Sequence, residues 1–176
     1  MRRYRRSTVA GATYFFTLNL QNRKSTILIN HIDKLRFAFK KVQVNHPFKI
    51  DAIIILPDHL HLMMTLPIGD VDYSKRLNLI KGMFSRQIAP YESISLSRQK
   101  KREREIWQRR FWEHCIRNNA DYEQHINYIH YNPVKHHYVS SPSRWPYSSI
   151  HRFIQSGILP VNWACNDEFH DGHFGE

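Results

Sequence analysis

Residues 48–67, FKIDAIIILPDHLHLMMTLP, hold two apolar runs separated by little more than Pro57 and Asp58. Ile53, Ile54, Ile55 and Leu56 form an unbroken apolar stretch, the pattern of a central strand covered on both faces. The run that follows, HLHLMMTLP, reads as its neighbour. A connection this short cannot carry a crossover, so the two strands are predicted to pair antiparallel.

The remaining elements fall around that pair. ATYFFTLNLQ alternates and puts Tyr14, Phe16, Leu18 and Leu20 on one face, which predicts a first strand. Between 25 and 47, Leu28, Ile32, Leu35, Phe37, Phe39 and Val42 recur at three- and four-residue spacings before His46-Pro47, which predicts one amphipathic helix. A second helix over 70–90 turns Leu77, Ile80, Phe84 and Ile88 inward and Lys75, Arg76, Lys81 and Arg86 outward. Residues 91–106 read as a charged surface excursion, and RRFWEHCIRN as a fourth strand. A third helix opens on an Asn-x-Asp cap signal and stops at Asn132-Pro133. The order β-α-β-β-α-β-α predicts an α+β, ferredoxin-like antiparallel sheet with helices packed on one face.

With 41% apolar and 13% aromatic residues the chain has the makings of a packed core, and no run reaches the roughly 18 apolar residues of a membrane helix. No secretory signal is read at the N-terminus, so a cytoplasmic location is expected. Cys115 and Cys165 lack C-x-x-C spacing, which argues against a disulfide framework or a cysteine zinc site. The formal charge of +11 is clustered: Arg2, Arg3, Arg5 and Arg6 open the chain, and RQKKREREIWQRR holds a second group. After Arg152 there is no Lys or Arg, while Asp167, Glu168, Asp171 and Glu176 are acidic. Such clustering favours a polyanionic partner, most simply nucleic acid.

Residues two apart on a strand share a face, so His59 and His61 can offer two imidazoles to one cation while Leu60 and Leu62 face the core. With 12 histidines in the chain this pair is weak evidence alone. Tyr128 and Asn132, four apart, lie one turn from each other on a helix. The Asn carbonyl suits Mg²⁺ or Mn²⁺, and a phenol beside such a cation can attack a phosphodiester. The bland alternatives are a core tyrosine among nine and an ordinary helix-ending Asn-Pro.

Three stretches together are more specific. YRRSTVAGATYFFTLNLQNR, IILPDHLHLMMTLP and FWEHCIRNNADYEQHINYIHYNPVKHHYV, followed by WPYSS, closely resemble the REP-associated tyrosine transposases of the HUH endonuclease superfamily, in order and spacing from about residue 4 to about residue 152. The resemblance implies a single transposase domain over 1–152 with a basic N-terminal arm. Residues 153–176 are left as an acidic tail, which could fold over a basic DNA groove as a mimic of its charge.

The resemblance also implies that His59, His61 and Asn132 bind Mg²⁺ or Mn²⁺ and that Tyr128 is the nucleophile. The expected partner is single-stranded hairpin DNA of repetitive extragenic palindromes with a GTAG-type tetranucleotide at its foot. That DNA would be cut and rejoined through a 5′-phosphotyrosine by a nucleoid-associated protein acting as a monomer. Arg2, Arg3, Arg5 and Arg6 would clamp the hairpin or its tetranucleotide, and Lys81, Arg86, Arg109, Arg110 and Lys135 would follow the backbone. A non-cleaving binder of the same repeats and a hydrolytic metal nuclease are the alternatives.

Overall fold

The computed structural model describes residues 8–165. Arg2, Arg3, Arg5 and Arg6, and the acidic residues of 166–176, lie outside the described residues. Four strands, β1 (Thr13–Asn19), β2 (Lys49–Ile55), β3 (His59–Thr65) and β4 (Trp112–Cys115), form one sheet in the order β2-β3-β1-β4 with every pair antiparallel. The helices are α1 (Ile27–Asn30), α2 (Ile32–Asn45), α3 (Tyr73–Arg86), α4 (Leu96–Gln99), α5 (Asn119–Lys135) and α6 (Ile150–Gln155), with a 3-10 turn at Pro142–Arg144. The ferredoxin-like order is the expected one.

Alternation along the strands builds two cores. Tyr14, Phe16 and Leu18 join Leu60, Leu62 and Met64 beneath Leu35, Phe39 and Val42 of α2 and Leu77, Ile80 and Phe84 of α3. The opposite face carries Phe15, Ala52, Ile54 and Met63, and α5 covers it with Ile126, Tyr128 and Ile129. Packing on one face therefore holds for α2 and α3, while α5 lies on the other. The reason is chemical: Phe15, Ile54 and Met63 would otherwise face water, at roughly 1.5–3 kcal/mol for each side chain.

Several local expectations are corrected. β2 is an edge strand, not a central one, but residues 145–149 cover its edge. Ile55 N–H donates to Tyr147 O (2.9 Å), Ser149 N–H to Ile53 O (2.8 Å) and Trp145 Nε1 to Ile55 O (2.9 Å). An apolar run reports burial, which a covered edge also supplies. The single helix expected over 25–47 breaks at His31 (φ −123°, ψ 38°) into α1 and α2, and Phe37 is 47% exposed.

Arg76, expected outward, is 4% exposed. It ties the start of α3 to the α2–β2 turn through Asp70 (2.6 Å) and Pro47 O (2.9 Å). The charged segment 91–106 is organised by its own ion pairs: Arg104 binds Glu92 and donates to Ser85 O and Ile88 O (both 2.9 Å).

The correction that matters most concerns α5. Its start is as expected, with Asn118 Oδ1 accepting from Asp121 N–H (2.9 Å). It does not stop at Asn132-Pro133 but runs on to Lys135, with Pro133 inside it. Pro133 lacks the N–H that would bond the carbonyl four residues earlier, but the helix closes beyond it, His136 N–H donating to Asn132 O (3.0 Å). Beyond it, α6 spans residues 150–155, so Phe153 of the expected tail packs against the second core.

Candidate functional site

His59 and His61 lie on β3 with side chains toward α5, because their neighbours Leu60 and Leu62 are taken by the first core. Both are buried, at 1% and 0% exposure, and their ring centroids are 5.0 Å apart. Each ring is held through Nδ1. For His59 the partner is Asp58 Oδ1 at 2.8 Å, and Asp58 Oδ2 in turn accepts from Arg23 Nε at 2.6 Å. Burial alone would raise the Asp58 pKa, but the hydrogen bond with His59 and the charges of His59 and Arg23 outweigh it and hold the carboxyl below its usual range. An ionised Asp58 accepts from Nδ1–H, which directs the His59 lone pair to Nε2.

For His61 the partner is Thr17 Oγ1 at 2.9 Å, brought there by the β1–β3 register that sets Thr17 opposite His61. Two imidazoles with engaged Nδ1 atoms and a carboxylate behind one of them form a donor set suited to a divalent cation.

Tyr128 descends onto this pair from α5. Its side chain is buried, and its ring stands edge-on to His61 with centroids 5.2 Å apart and planes at 69°. Phe15, opposite Met63 in the sheet, forms the adjoining wall, 5.4 Å from His61 and 6.0 Å from Tyr128. Asn132 is fully buried one turn beyond Tyr128. Two further residues reach the site: Lys135, whose Nζ donates to Tyr128 Oη at 3.4 Å, and His136, whose ring lies 5.2 Å from His59.

A second cluster sits two turns earlier on α5. His114 of β4 with Asp121 and His125 bring ligand atoms within 4.8 Å of one another. The two rings stack nearly parallel, 4.7 Å apart at 12°, so an ion in the plane of one lies off the plane of the other. Asp121 instead bridges them, 2.8 Å from His114 Nε2 and 3.1 Å from His125 Nδ1, and also accepts Arg117 N–H at 2.9 Å. The bridge fastens the start of α5 to β4 and so sets where Tyr128 falls over β3.

The cations expected to follow DNA are placed unevenly. Lys81 donates to Gln108 O (2.7 Å), and Arg109 pairs with Glu103 (2.7 Å). Both line a cavity of about 540 Å³ with the exposed Arg86, and Arg98 and Arg104 there are also ion-paired. Arg110 is exposed and shares a cavity of about 300 Å³ with Trp112 and Asn19 at the β4 edge. Trp112 lies opposite Thr17, hence in the same row as His61. Lys135 turns back over the Tyr128 ring, 4.9 Å from its centroid.

Sequence reasoning passed over Asp58, Thr17, Trp112 and His136. Asp58 was visible as the residue before His59, whereas Thr17 needed the strand register. Among the described residues no helix is long and apolar enough to cross a membrane.

Comparison with known proteins places the chain in a family. Residues 8–132 match the family model described as "Transposase IS200 like". A relative from Haemophilus influenzae is 46% identical over 170 residues, 96% of each chain. The REP-associated tyrosine transposase of Escherichia coli is 44% identical over 164 residues, covering 93% of this chain and 92% of its own. The solved structure of a REP-associated tyrosine transposase bound to a REP hairpin superposes with a TM-score of 0.85 at 42% identity, covering 100% of this chain and 98% of that one. A family match across the sheet and most of α5, with relatives this similar over nearly their whole length, leaves one conclusion: the chain belongs to the IS200-like transposases, among the REP-associated tyrosine transposases.

Proposed function

We propose that this transposase is a metal-dependent, single-tyrosine DNA endonuclease and strand transferase. It would cut and rejoin single-stranded hairpin DNA of repetitive extragenic palindromes through a 5′-phosphotyrosine. The observation that carries the reading is the edge-on contact of Tyr128 with His61, which sets a phenol beside a buried histidine pair. A hairpin partner is supported by the hairpin bound to the 42% identical structural relative.

In this reading Tyr128 supplies the attacking oxygen, and His59, His61 and Asn132 would hold Mg²⁺ or Mn²⁺. Such a cation polarises the scissile phosphoryl group and offsets its developing charge. Asp58 and Thr17 keep the two rings in one orientation, so little reorganisation is left for the reaction itself. The working unit would be a monomer whose domain takes in α6, since Phe153 packs against the second core. Arg110 and Trp112 beside the site would take the DNA strand, with Arg86 and the N-terminal arginines as outlying contacts.

The test is a denaturing gel of labelled single-stranded hairpin incubated with the protein and Mn²⁺. A covalent protein–DNA adduct that Tyr128→Phe abolishes is the expected result. Cleavage without adduct would point to hydrolysis, and retention without cleavage to a binding protein; either would overturn the proposal.

A further inference from the structure

We propose that Lys135 is a catalytic residue of this site, the cation that stabilises charge on the Tyr128 oxygen as it attacks and departs. The inference rests on the tyrosine reading above and deepens it. Its first support is helical phase. Lys135 is seven residues after Tyr128, two turns on the same face of α5, and it holds that position because the helix continues through Pro133. Had α5 ended at Asn132, as its Asn-Pro sequence suggests, Lys135 would have been a loop residue with no defined relation to the phenol.

The second support is direction. A lysine that only tracks a DNA backbone extends into solvent. The Lys135 ammonium instead folds back, with Nζ 3.4 Å from Tyr128 Oη and 4.9 Å from the ring centroid. At 3.4 Å the bond to a neutral phenol is long, and contacts of this kind tighten as charge develops. The interaction is therefore worth more in the transition state than in the ground state, which is what accelerates a reaction.

The step balances without another reagent. In cleavage the phenol proton passes to solvent and the Tyr128 oxygen forms the bond to phosphorus. The bond from phosphorus to the 3′-oxygen breaks, and that oxygen leaves with the electron pair and takes up a proton from solvent. In rejoining, a 3′-hydroxyl loses its proton to solvent and its oxygen attacks phosphorus. The phosphotyrosine bond then breaks, and the departing phenoxide takes up a proton. Negative charge builds on the Tyr128 oxygen in both directions, within reach of Lys135 in each.

The experiment compares the full-length parent with Lys135→Met, which keeps side-chain length without charge, and with Lys135→Arg, which keeps charge. Hairpin affinity is read by fluorescence anisotropy. Adduct formation is read in single turnovers at saturating hairpin with Mn²⁺, and thermal melting checks that each variant is folded. The expected result for Lys135→Met is unchanged hairpin affinity, a rate roughly 10- to 100-fold lower in both adduct formation and rejoining, and recovery of most of that loss in Lys135→Arg. Parent-like rates in Lys135→Met would overturn the inference. So would a defect confined to affinity and cured by saturating DNA, which would return Lys135 to backbone contact. Absence of adduct in the parent would overturn the tyrosine reading and this inference with it.

Discussion

The ring of Tyr128 stands edge-on to that of His61, centroids 5.2 Å apart, although the two residues come from a helix and a strand on opposite sides of an apolar layer. His61 is held by Thr17, and Tyr128 is carried by α5, whose start Asp121 fastens to β4. The contact is thus a product of sheet register and helix docking. The family assigns the chain to DNA transposition, and under the proposed function the contact is where that chemistry would take place.

The first prediction concerns the cation. His59 and His61 are both buried and both held through Nδ1, so under the proposed function replacing either would remove a pre-oriented ligand. In isothermal titration with Mn²⁺, His61→Ala should show no measurable binding where the parent shows one site. EDTA should abolish adduct formation in the parent while leaving hairpin retention intact. Undiminished Mn²⁺ binding in His61→Ala would move the cation elsewhere.

A second prediction tests what lies behind the ligands. Asp58 holds His59 through a 2.8 Å hydrogen bond and is itself held by Arg23. Asp58→Asn keeps the size but exchanges the acceptor charge for a neutral amide. Metal affinity should fall about 10- to 100-fold, the usual effect of losing a carboxylate behind a histidine ligand. Hairpin affinity measured without metal should not change, because Asp58 is buried beneath the site. Equal Mn²⁺ affinity in parent and variant would limit Asp58 to a folding role.

How far the sequence foretold this site depends on which interactions place each residue. The side of β3 taken by His59 and His61 was readable, because a strand's period of two is a local property. That α5 would cover that side was not, since Phe15 and Ile54 announce an apolar second face only once β1 and β2 are set in one sheet. Thr17 became visible only through the β1–β3 register, a pairing across 44 residues. Arg76 and Phe37 were misplaced because helical periodicity ranks faces by average polarity, whereas the α2–β2 turn supplied Arg76 with carbonyl partners. Pro133 misled for a different reason: Asn-Pro disfavours a continuing helix without forbidding it, and here packing of α5 on the sheet carries the helix through to Lys135. Lys135 was read as a DNA contact from its charge, and its place two turns beyond Tyr128 was visible only once the helix was known to continue.

The third prediction concerns the strand path. Trp112 shares a row with Thr17 and His61 and lines the β4-edge cavity with Arg110, which sets an aromatic face beside a cation next to the proposed reaction site. An unpaired base can stack there while its phosphate meets the guanidinium. Trp112→Ala should weaken binding of the single-stranded hairpin by about 1–3 kcal/mol, the range for one stacked base, at fixed salt. Arg110→Gln should reduce the slope of affinity against salt by roughly one phosphate contact. Anisotropy titrations across a salt series read both. Parent-like affinity in Trp112→Ala would send the strand another way.

The last prediction concerns pH and the charged segment over α3. Glu92 has its pKa lowered to about 2, chiefly by its hydrogen bond with Arg104, against a desolvation effect in the opposite direction. Arg104 also donates to the carbonyls of Ser85 and Ile88, so the pair closes the end of α3. A carboxyl whose pKa is lower in the folded protein than in the unfolded chain adds stability that is complete above the unfolded value, here near 4.5. That stability is lost as pH falls from there toward 2. Thermal melts of the parent should therefore fall more steeply between pH 4.5 and 2.5 than those of Glu92→Gln, with the two curves converging at the acid end. At neutral pH the variant should melt lower than the parent, since Arg104 then lacks its charged partner. Parallel curves across that range would mean that Glu92 is as easily protonated in the folded chain as in the unfolded one, and that the pair does not hold the segment.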